Sequence, residues 1–308
     1  MDKTDNIVPL KRSSTLVDEQ PAAVGPESIE TRLAEAEQLI ARAEQAEAVD
    51  LGQIDTARIW GVPLACLTYE ETLDEVDRLI GRGQPAYFIT ANLHYAMLAD
   101  RDRRLQDINE RAAFIVADGM PMVWRSRLKG PRLPERVTGS DLIFLLSHRA
   151  AERGHRVFLL GGGPGVADKA AENLCQMFPG LEIVGIESPM IDNLSDSAHA
   201  SLVERIRQAR PDLLLIAFGQ PKGEKWMAEY CTALGVPACV QLGASFDFAA
   251  GRVARAPRWT HKIGAEWLYR IWREPRRMIP RYSADALFLL KAVLRDLFAR
   301  GEGRGVRD

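Results

Sequence analysis

A carboxylate closes an apolar run in the stretch AAFIVADGMPMVW, residues 112–124. Phe114 to Ala117 read as a buried strand, and Asp118 and Gly119 follow at once. Asp–Gly after such a run is ordinary turn chemistry. The carboxyl end of a strand in an α/β sheet is also where catalytic groups collect, and a carboxylate there is of the right type to take a proton from an attacking hydroxyl. Three further stretches offer polar groups in the same setting. YFITANLHYAM puts Thr90 and Asn92 behind a strand, where either could simply cap the next helix. VFLLGGGPGVADKAAENL reads as strand, glycine turn and helix. There Gly161, Gly162, Gly163 and Gly165 let the backbone approach a ligand, and the helix N-terminus favours a phosphate. Val166 departs from GxGxxG, so a nucleotide site does not follow from this turn alone. LLLIAFGQPKGEKWMAEY repeats the geometry with Gly219, then Gln220 able to hydrogen-bond a sugar or base and Lys222 able to meet a diphosphate. A capped loop with a solvated lysine accounts for the same residues.

Other chemistries find little to stand on. His94, His148, His155, His199 and His261 show no HxH or HExxH spacing, so no zinc site is expected. The DRD at 100–102 has the form of a metal–diphosphate motif, but LHYAMLADRDRRLQDINERAA reads as one helix that would point Asp100 and Asp102 about 200° apart. Cys66, Cys175, Cys231 and Cys239 form no CxxC pair. Three of them sit in apolar or helical contexts that suit inert buried thiols, as in a reducing cytoplasm.

The elements that must position these groups can be read from the 308-residue chain. Apolar runs at 86–90, 112–117, 156–161, 181–186, 212–218 and 238–243 alternate with 3.6-periodic helices, the pattern of a mostly parallel sheet covered by helices on both faces. Residues 1–55 form an extension, polar and flexible up to about residue 28 and then Ala/Glu/Leu-rich, which predicts an exposed helix. The catalytic α/β domain is expected over 56–251 and a basic helical appendage over 252–308. Net charge is −2 overall, yet residues 1–51 carry eleven acidic and five basic side chains, and residues 252–308 carry fourteen basic and six acidic. Such a basic end favours an anionic partner, a phosphate-bearing substrate or a membrane face. In the last helix Leu287, Leu290, Leu294 and Leu297 share a face, while Lys291 and Arg295 share another. That pattern suits a membrane interface or packing back on the domain equally. No secretory signal and no spanning helix are expected.

Together these stretches resemble the WecG/TagA/CpsF family of bacterial glycosyltransferases. The landmarks are TAN (90–92), ADGMPMVW (117–124), PERVTGSDL (134–142), LLGGGPG (159–165), FGQPKGEKW (218–226), GASFDFAAG (243–251) and RAPRW…EWLYRIWREPRR (255–277), in the family's order. The resemblance implies a Rossmann-like, inverting transferase of sugars such as N-acetylmannosamine, its uronic acid or another hexose. The donor would be a UDP-sugar acting as co-substrate, with no cofactor and no catalytic metal. The acceptor implied is a sugar on a polyprenyl diphosphate at the cytoplasmic face of the membrane, in cell-surface or exopolysaccharide synthesis. Asp118 is the implied base and Thr90 a residue of its pocket. Arg136 and the appendage arginines Arg270, Arg273 and Arg276 are the implied diphosphate contacts. Asn92, Gly161, Gly162, Gln220, Lys222 and Asp247 complete the expected substrate-binding set. An anionic membrane surface is an expected partner, a homo-oligomer is possible and a nucleic acid is not called for. Gly223 stands where a glutamine is usual after PK, and NLHYAM lacks the NPE of many relatives, so binding roles do not carry over there.

Two rival readings exist. A nucleotide-dependent oxidoreductase would need an acidic ribose ligand about 20 residues past the glycine turn, where Glu187 is loosely placed. A non-catalytic, membrane-associated nucleotide-binding module would use the acidic N-terminal helix as a partner surface.

Overall fold

The computed structural model describes residues 54–128, 130–253, 271 and 275–302, together with residues 31, 34, 36–38, 40 and 41. The side chains of 277 and 297–302 are outside that description.

Two short strands, β1 (Thr56–Ile59) and β2 (Val62–Ala65), pair antiparallel. The turn between them is Trp60–Gly61, both with positive φ (48° and 87°), the conformation that matches strand twist in a two-residue hairpin. The remaining strands form one six-stranded, all-parallel sheet: β3 (Tyr87–Ala91), β4 (Ile115–Ala117), β5 (Arg156–Gly161), β6 (Glu182–Glu187), β7 (Leu213–Ala217) and β8 (Ala238–Gln241), in the order β4-β3-β8-β7-β5-β6. All six runs read from the sequence form this sheet. The hairpin was not anticipated, because its strands are four residues each and its apolar positions do not stand out from their neighbours.

Side-chain alternation divides the core into two layers. On one face Phe88, Val116, Val157, Leu159, Leu215 and Val240 pack against helices α1 (Tyr69–Arg82), α5 (Gly139–Arg153), α6 (Val166–Met177) and α9 (Ser245–Ala249). On the other, Ile89, Ile115, Phe158, Leu160, Ile216 and Cys239 meet the hairpin and helices α2 (Leu93–Ala99), α3 (Arg103–Arg111), α4 (Met120–Ser126), α7 (Asp196–Ala209) and α8 (Lys222–Leu234). A parallel sheet buried on both faces accounts for apolar runs with no polar alternation.

Three expectations need correction. The single helix expected across 93–113 is two, α2 and α3, because Asp102 takes an extended conformation and its carboxylate caps α3 by accepting from the Arg104 amide at 2.9 Å. The N-terminal helix is not exposed all round: Ala36 is buried in the first core layer and Ile40 packs against it. The expectation of mostly buried thiols holds for Cys231 and Cys239 only; Cys66 is half-buried and Cys175 is exposed on α6.

The last helix, α10 (Pro275–Glu302), packs back on the domain along one face and leaves another exposed. Met278, Asp285, Phe288 and Ala292 are buried, at spacings of seven, three and four residues, the seam of a helix lying along another. Phe288 meets Trp60 edge to face at 6.0 Å. Asp285 bonds His94 of α2 at 2.7 Å, Asp296 accepts from Nε and Nη2 of Arg125 on α4, and Arg295 reaches Asp100 at 3.5 Å. Leu287, Leu290 and Leu294 lie outside this seam and are exposed, with Ile279 and Val293. Leu297 falls outside the described side chains. Truncating Phe288 to alanine should therefore release α10, at a cost of about 3–5 kcal/mol in local stability. Hydrogen–deuterium exchange should accelerate along α10 with β5 and β7 still protected; unchanged exchange in α10 would refute this packing.

Candidate active site

In an all-parallel sheet every strand delivers its following loop to one edge, and here that edge gathers the polar stretches. β5 leads outward to β6 whereas β7 leads inward to β8, so the loops after these two neighbours part and open a crevice. Beyond β8 lies the end of β3, with Thr90, Ala91 and Asn92, and then β4 with Asp118.

Asp118 is half-buried and held by its backbone: its amide donates to Ala91 O at 2.8 Å. Val137 N donates to Ala117 O at 2.9 Å, which lays the neighbouring Arg136 beside it. That loop is fixed from below. Tyr69 N donates to Glu135 Oε1 at 2.8 Å, and the Tyr69 hydroxyl accepts from Thr138 N at 3.0 Å and donates to Asp141 Oδ2 at 2.7 Å. Thr138 caps α5. Most polar residues of PERVTGSDL are thus used to hold the loop, and Arg136, half-buried, is the charged residue it carries to the edge of Asp118.

Asn92 caps α2, its Oδ1 accepting from Tyr95 N at 3.0 Å, and a methyl group placed on Gly119 would lie 3.9 Å from its Cα. Thr90 is not a cap. It is 4 % exposed within β3, and its hydroxyl donates to Gln241 O at 3.2 Å, so only its oxygen lone pairs remain to accept. Gly161 is required by packing, since a Cβ there would stand 2.8 Å from Ala217 O at a φ of 102°. Gly162 N donates to the same carbonyl at 3.0 Å. The turn ends at Gly165, which begins α6 with no side-chain cap; Val166 N donates to Gly163 O at 3.0 Å, and the amides of Ala167 and Asp168 follow in that uncapped first turn. Lys222 pairs with Asp192 across the surface, so its ammonium is already engaged. Asp247 accepts the amides of Arg252 and Val253 through its carbonyl, which folds Arg252 over the glycine turn, Nη2 to Pro164 O at 2.9 Å. Arg252 opens the arginine-rich run RVARAPRW, and nothing in the sequence sets it apart from the arginines that follow, so it was not singled out. Arg276 is exposed on α10; Arg270 and Arg273 lie outside the described residues.

Between the ends of β3, β7 and β8 sits a buried polar cluster that patterning did not reveal. Gln220 Nε2 donates to Thr90 O at 3.3 Å and also reaches the carboxyl of Glu224. Glu224 is 1 % exposed, its Oε2 has no partner among the described residues, and burial pushes its carboxyl up to about 8. Gln241, 2 % exposed, accepts from Gly243 N at 3.1 Å through Oε1, while its Nε2 has no partner among the described residues. A Cβ at Gly223 would lie 2.6 Å from Gln241 Cδ, so glycine at 223 is what lets this carboxamide fill the space.

The two DRD carboxylates are engaged separately, Asp102 with Lys225 at 2.6 Å and Asp100 with Arg295. Glu187, the ribose ligand a dinucleotide site would need, is paired with Arg205 at 2.6 Å. Against known proteins, the model of the glycosyl transferase WecG/TagA/CpsF family matches residues 57–302. The chain belongs to that family. Two curated relatives are similar across most of their length. One from Bacillus subtilis (strain 168) is 30 % identical over 217 residues, 69 % of this chain and 81 % of the relative. One from Bacillus spizizenii (strain ATCC 23059 / NRRL B-14472 / W23) is 31 % identical over 213 residues, 68 % and 81 %. Both are named N-acetylglucosaminyldiphosphoundecaprenol N-acetyl-beta-D-mannosaminyltransferase. The six-stranded parallel sheet is the Rossmann-like scaffold of a chain in this glycosyltransferase family.

The buried carboxyl has a consequence for stability. Glutamate in an unfolded chain titrates near about 4.3, and Glu224 in the folded chain near about 8. Between those values the native state keeps a proton that the unfolded state releases, so stability falls as pH rises, by about 1.4 kcal/mol per unit. Glu224→Gln removes this loss. Its melting temperature minus that of the wild type should grow from about pH 5 to about pH 8; a constant difference would contradict a raised carboxyl.

Proposed function

We propose that the protein is an inverting, metal-independent glycosyltransferase. It moves a hexose, of the N-acetylmannosamine or uronic acid type, from a UDP donor to a saccharide carried on a polyprenyl diphosphate. The observation that carries this reading is Asp118, suspended at the end of β4 beside Asn92 and the Arg136 loop, at the ligand edge of a sheet belonging to this family. The names of the two Bacillus relatives support the lipid-linked acceptor and the mannosamine-type sugar.

The chemistry is one displacement. The acceptor oxygen attacks C1 of the sugar as the C1–oxygen bond to UDP breaks on the opposite face. The bonding pair leaves with the diphosphate, and the hydroxyl proton passes to the Asp118 carboxylate. Charge grows on the departing diphosphate, where fixed cations and oriented amides lower the barrier. Arg136, Arg252 and the first amides of α6 are suited to that task, with Gly162, Gln220 and Asp247 shaping the pocket. The guanidinium fork matches phosphate oxygens in two places at once. Arg270, Arg273 and Arg276 of the appendage are proposed to complete the diphosphate contacts, and Lys222 does so on exchanging Asp192 for phosphate.

No helix among the described residues is long and apolar enough to cross a membrane. Peripheral attachment at the cytoplasmic face, where a lipid-linked acceptor is presented, is proposed through the outward leucines of α10. The test of the reaction is a donor panel against a synthetic polyprenyl-diphosphate sugar, with product read by mass. Asp118→Asn should lower kcat by roughly 10²- to 10⁴-fold and keep UDP affinity; full turnover in that variant would end the proposal. Serine at Leu287, Leu290 and Leu294 together should cut flotation with anionic vesicles at least about a hundredfold. These side chains are already exposed, so folding should be preserved, and undiminished flotation would place the membrane contact elsewhere.

A further inference from the structure

The proposed chemistry makes no use of α4, yet this helix starts two residues past Asp118 and shows an apolar stripe to solvent. Its inner side is accounted for, with Met122, Val123 and Ser126 buried. Met120, Trp124 and Leu128 follow at steps of four residues, each about 40° further round the axis, and so share the outer side. Met120 is half-buried, Trp124 is 48 % exposed and Leu128, in the turn behind the helix, is 63 % exposed. That turn is fixed in place. Arg127 keeps a helical backbone, Leu128 N donates to Arg125 O at 3.1 Å, and the Ser126 hydroxyl accepts Leu133 N at 3.1 Å while donating to Val123 O at 2.7 Å. Eight large apolar side chains are exposed among the described residues, and all but Met190 lie on α4, this turn or α10. Arg125 and Asp296 join the two helices, one residue from Trp124 and two from Leu294. Exposed apolar surface concentrated in this way marks a binding face. We propose that the outer side of α4 and its turn seats the isoprenoid chain of the lipid-linked acceptor, with Trp124 and Leu128 as its contacts. The inference rests on the proposed transfer to a polyprenyl-diphosphate sugar at Asp118.

The order of groups in such an acceptor dictates where its chain runs. The attacking hydroxyl belongs to the sugar, and the diphosphate stands between that sugar and the first isoprene unit. With the hydroxyl at Asp118, the chain is met a sugar and a diphosphate away from that carboxylate. Met120 to Leu128 spans about 12 Å at 1.5 Å per residue, so the stripe leads outward over that range and contact falls on its outer two members. An indole offers a large apolar face that loses little freedom on contact. The charge of the segment fits as well. Residues 124–134 contain Arg125, Arg127, Lys129 and Arg132 and no Asp or Glu, and Arg127 and Arg132 are exposed. An apolar stripe edged by guanidiniums matches an apolar chain with a diphosphate at its head. A bilayer could offer acyl chains to the same side chains, but this stripe begins beside Asp118, where the reacting end of the acceptor has to be. The outward leucines of α10 have no such inner end and keep their proposed membrane role.

The experiment compares two soluble acceptors without vesicles, the same sugar diphosphate carrying either a farnesyl chain or a methyl group, on the full chain. In the wild type the acceptor KM should be at least about tenfold lower for the farnesyl compound. Trp124→Ser combined with Leu128→Ser should erase most of that preference, whereas Trp124→Phe alone should keep it. The readout is the ratio of the two KM values, which a general loss of activity does not move. Both side chains are exposed, so the double variant should melt with the wild type. Should it fail to fold, Leu128→Lys alone, at the more exposed position, should still lower the ratio. Equal KM values in the wild type, or an undiminished preference in the double variant, overturns the proposal. So does a double variant that loses only its flotation with anionic vesicles, which would assign Trp124 and Leu128 to the bilayer. If no donor sugar reaches either acceptor, the proposed reaction fails, and calorimetric dissociation constants for the two compounds still decide whether α4 holds the chain.

Discussion

A single backbone hydrogen bond, Asp118 N to Ala91 O at 2.8 Å, ties the ends of β3 and β4 together where the sheet meets the cleft. Most of the site depends on it. β4 has only three residues, so Asp118 emerges from a strand too short to aim it alone. Its direction comes from two neighbours instead: the Ala91 carbonyl on one side, and Val137 N on Ala117 O from the far side. The residues beside them are anchored in turn, Asn92 by capping α2, the 135–138 loop by Tyr69, and Thr90 by Gln241 and Gln220. Backbone geometry thus keeps a half-buried carboxylate at the ligand edge of the sheet.

The same knot explains why the last helix lies where it does. α2 and α4 are the helices that begin at Asn92 and just after Asp118, and α10 grips both through Asp285 to His94 and Asp296 to Arg125. Polar pairs of this kind, with side chains mostly out of solvent, contribute little net stability, but leaving one partner alone is costly. Their physical effect is to define one register of α10 on the domain. Apolar packing through Phe288 and Ala292 supplies the adhesion that they lack. A helix held so firmly on one face can carry exposed leucines on the other without collapsing onto the sheet.

How much of this was legible in the sequence follows from the range of the forces involved. The six strands are visible because burial on both faces imposes unbroken apolar runs, and Asp118 is visible because it ends one of them. The leucines of α10 misdirect, since hydrophobicity alone does not say which stripe meets the domain. The true seam contains Asp285, a charged residue whose burial makes sense only with His94 across from it. Asp102 misdirects in the same manner: its capping bond interrupts a pattern whose periodicity runs on through it. Glu224 and Gln241 were hidden because a polar residue on an apolar face reads as solvent-facing until the third dimension closes over it. The one local hint was Gly223, whose missing side chain is a space that Gln241 fills.

The glycine turn shows how the same residue type can answer two different demands. Gly161 answers to the packing of β5 on β7, because a Cβ there would collide with the Ala217 carbonyl. Gly165 meets no atom within contact distance, and its φ of 69° is needed only to turn the chain into α6. What the turn presents to the crevice is therefore its backbone: the uncapped amides of α6, with the partial positive charge of the helix behind them. Arg252, bonded to Pro164 O, adds a full charge at the same spot, and it is brought there by the Asp247 carbonyl rather than by any neighbour in sequence. Asp118 follows β4 and this cationic corner follows β5, with the ends of β3, β8 and β7 between them along the sheet.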